Sequence, residues 1–223
     1  MQRIDLTHAS VLASTATCRV FFDEFLKSDL FVQEDGMALP LLVTPTSARC
    51  KRLFGVGEVK EVETRGKISQ LKITDSTATL DIYTDRTILL DEGGAKRNGN
   101  GNGNGNAIAI GGKRFLAFTG NVHVRDKSVK FVLVEEIGAV GVDVRDSWIL
   151  NTAYRTMERI EQLRINLQHS SLAEKEKRYN EKLLPDQVFL KETKEHYALD
   201  DKKLDFFACT AVNAVERIGS VFV

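Results

Sequence analysis

The sequence predicts a mainly β fold with helical appendages, in which a small five-stranded barrel occupies the middle of the chain. Three observations carry this reading. β-Branched and apolar residues alternate, between short turn-forming clusters, through much of residues 51–135. Beyond them, apolar residues recur at steps of four and three, the spacing of a helix face. Charge is the third: the 31 basic and 31 acidic side chains of the 223 residues cancel, yet they are unevenly spread. Residues 45–137 carry 15 basic against 11 acidic side chains, residues 1–44 carry 3 against 6, and residues 138–223 carry 13 against 14. Bulk charge therefore does not make the chain a polycation, and any contact with nucleic acid has to be local.

Residues 1–44 form an acidic helical arm. Within it residues 9–27 are periodic, with Cys18, Phe21, Phe22, Phe25 and Leu26 on one aromatic-rich face suited to core packing. Five strands follow, over residues 51–62, 67–74, 77–84, 114–124 and 128–135. Gly55 and Gly57 lie inside the first and suggest strong coiling or a bulge there. Three strands, a long connection and two more strands is the element order of the OB-fold, a five-stranded, partly open barrel that commonly binds oligonucleotides, placed here at residues 45–137. A barrel of SH3 type or a piece of a sandwich gives a similar strand count. In the connection, residues 98–106 alternate Asn and Gly. With no apolar side chain to offset the entropy of ordering it, this tract reads as a flexible loop. It is no phosphate cradle, because the preceding strand, following helix and Gly-Lys-Ser/Thr ending are missing.

A helix is expected over residues 147–168, with Asp146 as its N-cap. Ile149, Ala153, Thr156, Ile160, Leu163 and Leu167 form its stripe, and residues 145–169 are read as a subunit-association helix. The alternative is that this stripe packs on the chain's own tail, residues 170–223, whose last helix carries Leu204, Phe207, Ala211, Val215 and Ile218 on one face.

The apolar runs are far shorter than the roughly 20 residues of a membrane span, and the first residues lack the pattern of a secretion signal. A cytoplasmic, nucleoid-associated chain is expected. Cys18, Cys50 and Cys209 have no zinc-ligand spacing and are expected as buried, reduced thiols. His8, His123, His169 and His196 are scattered, and no nucleophile triad or HExxH arrangement occurs. No enzyme activity, metal or cofactor is expected.

Several segments carry a resemblance: residues 18–25 (CRVFFDEF), 44–49 (TPTSAR), 52–59 (RLFGVGEV), 75–79 (DSTAT) and 145–148 (RDSW), with Thr152 and Ala153. They resemble the archaeal replication protein A family, in particular its mid-sized, single-OB subunit or associated protein, over roughly residues 16–165. Ser47 and Ala78 stand where that family usually has glycine. The resemblance implies an OB-fold subunit that binds single-stranded DNA in replication and repair. It also implies that the 145–169 helix, through Trp148 and the stripe above, joins helices of a large multi-OB subunit and a small subunit in a bundle.

Binding a single strand takes cations that follow phosphates and flat side chains on which bases stack. Arg52, Lys67, Lys72, Lys113, Arg114, Arg125 and Lys127 are the candidate phosphate partners, with Arg49, Lys51 and Lys130 beside them. Tyr83 alternates with Leu80 and Ile82 and so faces outward, which makes it the first stacking candidate. Phe115 is the second, and Phe118 is placed in the core. Two other functions fit the same residues. One is an OB scaffold that binds only proteins; the other is an RNA-binding OB module, since stacking and phosphate contacts alone do not select the sugar.

Overall fold

A computed structural model describes residues 17–33, 40–90, 107–110, 115–125, 129–173 and 185–219. In chain order these form β1 (Thr17–Cys18), α1 (Phe22–Leu26), β2 (Leu30–Val32), β3 (Leu41–Val43), β4 (Arg49–Cys50), β5 (Arg52–Arg65), β6 (Ile68–Thr74) and β7 (Thr79–Thr84). Then come β8 (Thr87–Leu90), β9 (Ala107–Ile110), β10 (Phe115–Arg125), β11 (Val129–Val140), α2 (Val142–Ala173), α3 (Pro185–Tyr197) and α4 (Asp201–Gly219). β5, β6, β7, β10 and β11 answer the five expected strands. β5 pairs with both β6 and β10, β10 with β11, β11 in parallel with β7, and β7 with β6, so the ring closes in OB connectivity. The parallel pair β8 and β9 lies in the long connection, where no strand was expected. The Asn/Gly tract at 98–106 lies outside the described residues.

Period-two alternation sends Leu53, Leu71, Ile73, Leu80, Ile82, Leu116, Phe118 and Val132 into the barrel, all at most 1% exposed. One end is plugged by α1. Its Phe22 ring meets Phe118 and Trp148 at centroid distances of 6.1 Å each. This packing explains the two glycines of β5. A Cβ at Gly55 would overlap the Phe118 ring, and one at Gly57 would come within 2.7 Å of the Thr74 carbonyl oxygen. No register shift interrupts the pairing of β5 with β10 at these positions; the irregularity in β5 falls later, between Val59 and Glu61. The glycines provide room for close approach rather than a bulge.

The expected helix over 9–27 is replaced in its described part by β1, an extended link and the five-residue α1. Pairing of β1 with β5 in the register Thr17 with Arg52 and Cys18 with Leu53 takes the chain out of helical geometry. Cys18 and Cys50 are joined in a disulfide and Cys209 is exposed, so the expectation of three buried thiols is corrected. Their separation of 32 residues has no sequence signature; β1 and β4 bring them together. Closing a loop of that length removes about 3–4 kcal/mol of chain entropy from the unfolded state.

Two buried carboxylates fasten α1. Asp75, in the β6–β7 corner, accepts the Phe22 N–H at 2.7 Å, the Thr77 N–H and hydroxyl at 2.9 and 2.6 Å, and the Ala78 N–H at 3.2 Å. Burial nevertheless pushes its pKa above the ordinary carboxylate value, against the lowering effect of those bonds. Glu24 is 2% exposed. It accepts the hydroxyls of Thr44, at 2.5 Å, and Thr46, and faces the Arg159 guanidinium of α2 at 3.5 Å. In the loop that supplies these threonines, Ser47 has φ +67°, the left-handed conformation that glycine adopts most easily. Ala78 has no positive φ; in that turn Ser76 takes it, at +80°.

α2 begins at Val142, so Asp146 is an interior helix residue paired with Arg145 instead of the expected N-cap. Trp148, Ile149 and Ala153 join the barrel core, while Ile160 and Leu163 pack with Leu199, Leu204 and Phe207 of the tail; Thr156 is 1% exposed and Leu167 packs at the edge. The subunit-interface reading of this stripe is therefore corrected: its apolar side chains are covered by the chain's own barrel and α4. Arg217 of α4 reaches the Ser76 carbonyl. In α3, the Tyr197 hydroxyl accepts the Asp29 and Leu30 N–H groups at 2.9 and 3.0 Å and donates to the Val43 carbonyl at 2.6 Å. Burial pushes that phenol up to about 12. No helix among the described residues is long and apolar enough to cross a membrane.

Tyr197→Phe leaves two N–H groups and a carbonyl without their partner and is expected to lower unfolding free energy by about 1–3 kcal/mol in urea titrations. Asp75→Asn is expected to destabilise by a similar amount, about 1–3 kcal/mol, by putting an amide NH2 where an acceptor is needed. A raised folded-state pKa makes Asp75's contribution greatest below the ordinary carboxylate pKa and diminishes it as pH rises through the raised value. The gap between wild type and Asp75→Asn should accordingly be widest in acid and narrow toward neutral pH.

Candidate nucleic-acid interface

Leu80, Ile82 and Thr84 of β7 point into the barrel and leave Tyr83 on the outer surface. On β11, Val132 points in, while Phe131 and Leu133 face out. His123 of β10 stands directly opposite Phe131 in the antiparallel register. The Tyr83 ring meets Phe131 edge-on at 5.2 Å, and the His123 ring lies nearly parallel to Phe131 at 5.6 Å. Three flat side chains from β7, β11 and β10 thus run in a row across the outer sheet, with Leu133 43% exposed next to them. Gln70 of β6 flanks the row, in register with Tyr83.

The expected cations are differently disposed. Arg52 is ion-paired with Glu135, which also accepts a hydrogen bond from Asn121 Nδ2 at 2.7 Å. Lys72 pairs with Glu61 at 2.7 Å; that hydrogen bond and the carboxylate's charge raise its pKa. Lys67 is exposed in the turn between β5 and β6. Lys113, Arg114 and Lys127 lie outside the described residues, as does the side chain of Arg125. Lys130 is 8% exposed; its ammonium donates to the Leu26 carbonyl at 2.8 Å and burial lowers its pKa, so it fastens α1 to β11 and is not a surface cation. Phe115 is at the other end of β10 from His123. It stands opposite Val140 and Glu58, with the Arg145 guanidinium 4.8 Å over its ring, and is not brought together with Tyr83. Phe118 is in the core, as its phase requires.

Sequence reasoning passed over Phe131 and His123. In residues 129–134 (VKFVLV) the lysine suggests the exposed phase and the phenylalanine the buried one; the structure reverses both, because Lys130 finds a buried acceptor. The cross-strand pairing that puts His123 on Phe131 is a property of register and leaves no mark in either strand alone.

No family model matches the chain, and no curated protein matches it in sequence. Among solved structures it is similar to a chain of a replication protein A heterotrimer bound to single-stranded DNA, at 8% identity and a TM-score of 0.44, over 65% of this chain and 98% of that one. It is also similar to a chain of the S. pombe Stn1–Ten1 complex, at 11% identity and a TM-score of 0.39, over 60% of this chain and 86% of that one. At such identities neither neighbour says which side chains here do chemistry.

Proposed function

We propose that this chain is a single-stranded DNA-binding OB-fold subunit of a replication protein A-like complex that holds unpaired DNA during replication and repair. The observation that carries the proposal is the row Tyr83, Phe131 and His123 on the outer face of a closed OB barrel. A row of aromatic faces accepts successive bases whatever their identity, each contributing about 1–3 kcal/mol. Carboxylates hold Arg52 and Lys72, so stacking leads over the contribution of those two cations. Binding by one barrel is then weak, and avidity from linked barrels supplies the rest.

Assembly has a surface of its own. On α2, to one side of the buried stripe, Leu150, Tyr154 and Met157 are 51%, 66% and 39% exposed and share one helix face by their spacing, which the exposed Glu161 ends. An apolar helix of a companion subunit fits there. Leu150→Glu with Tyr154→Glu leaves the core intact and is expected to abolish co-purification with the multi-barrel subunit of the same source; retained co-purification removes this face from the proposal.

The test of binding is fluorescence anisotropy with an oligo-dT strand and its oligo-U counterpart. Tyr83→Ala and Phe131→Ala are each expected to weaken binding about 5- to 100-fold. If wild type does not bind, or both variants bind as wild type does, the DNA-binding reading is wrong. Glu135→Gln releases Arg52 and is expected to tighten binding and steepen the salt dependence by about 0.7 in log–log slope, one phosphate contact.

A further inference from the structure

A groove runs along α2 beside the barrel, and its middle is a cavity of about 400 Å³. Arg19 from the segment after β1, Arg49 of β4, and Arg155 and Arg159 of α2 line it, together with Thr17 and Thr119. Arg155 and Arg159 are four residues apart and share a helix face. No Asp or Glu is among the lining residues. Behind the wall, Glu24 faces Arg159, whose Nε also donates to Thr46 Oγ1 at 2.8 Å. Arg49 lies 4.2 Å over the Phe189 ring and Arg19 4.9 Å over Phe54.

Arg19 and Arg155 have no carboxylate partner among the described residues. Partial burial and the charge of Arg155 both disfavour the charged Arg19 guanidinium. Two like charges held at a partly desolvated concave surface repel unless an anion lies between them. Thr119 Oγ1 is buried at the same cavity without a hydrogen-bond partner. A hydroxyl is donor as well as acceptor, so it suits an oxyanion.

We infer that this cavity is a binding site for phosphate oxyanions, with Arg19 and Arg155 as the gripping forks, Arg159 held in place by Glu24, and the Thr119 hydroxyl as a further donor. Planar guanidinium groups match the spacing of phosphate oxygens and bind them two at a time. The volume suits a short oligophosphate, and the same chemistry has two sources, the phosphate chain of a free nucleotide or the backbone of a single strand. Thr119 and His123 are four residues apart on the same face of β10, roughly 13 Å, so a strand stacked on the aromatic row reaches the cavity by running along β10. The inference stands on its own geometry and survives if the aromatic row binds nothing.

Isothermal titration of the full chain with inorganic tripolyphosphate tests it, beside an oligo-dT titration of the same samples. Saturable binding is expected with one site per chain. Arg155→Ala is expected to weaken it on the order of ten- to hundredfold, Thr119→Val to weaken it less, and Tyr83→Ala to leave it unchanged. Tripolyphosphate that competes with oligo-dT in wild type, together with loss of oligo-dT affinity in Arg155→Ala, identifies the strand's backbone as the source. Tripolyphosphate binding lost in Arg155→Ala with oligo-dT titrations unaltered identifies a free oligophosphate. Absence of tripolyphosphate binding by wild type, or equal binding by Arg155→Ala, overturns the inference.

Discussion

The fold depends on a buried acid, Glu24. Its carboxylate takes up the hydroxyls of Thr44 and Thr46 and faces Arg159, so one side chain ties together the short helix that plugs the barrel, the loop before the first barrel strand, and the long helix that follows the last. A carboxylate this deep is tolerated only with such partners, and removing one typically costs about 3–5 kcal/mol because the other charge is left buried and uncompensated. Asp75 does the corresponding work on the other side of α1 through the Phe22 N–H. Between these two acids a five-residue helix, too short to persist alone, becomes the floor of the barrel.

That pinning explains what was legible in the sequence. The barrel strands could be read because their interior is mostly apolar and alternates with period two; Leu80, Ile82 and Tyr83 fall on their predicted faces. The helix face of α2 was equally legible, but not what covers it. A stripe at heptad spacing states that something apolar is opposite, and Leu204 and Phe207 lie 41 and 44 residues beyond Leu163, too far for any local signal. Length misled too, because a helix longer than its barrel suggests projection toward a partner when the chain's own tail returns along it.

Polar groups used against type were the illegible part. Lys130 occupies an interior phase because a helix end offers it a carbonyl, and this single exchange moves Phe131 to the surface and creates the aromatic row. Cys18 and Cys50 meet only because β1 docks in parallel on β5, a pairing with no spacing rule. Ser47 accepts a conformation that glycine takes more easily, which its neighbours impose: Thr44 holds the Ser47 N–H by its carbonyl at 2.8 Å and the Ala48 N–H by its hydroxyl at 3.0 Å.

Charge placement then separates the two surfaces. On the outer sheet, each of Arg52 and Lys72 faces a carboxylate beside the aromatic row. In the groove beside α2, Glu24 is taken up behind the wall by Thr44 and Thr46 and faces only Arg159. The same buried acid that assembles the fold therefore leaves Arg19 and Arg155 at a cavity whose lining holds no carboxylate. A net charge near zero for the whole chain conceals this, because attraction for an anion is set by the local sum within about one Debye length, roughly 8–10 Å. Four guanidinium groups line the cavity and no carboxylate does, while Asp143 and Glu158 line the adjoining pockets of the groove.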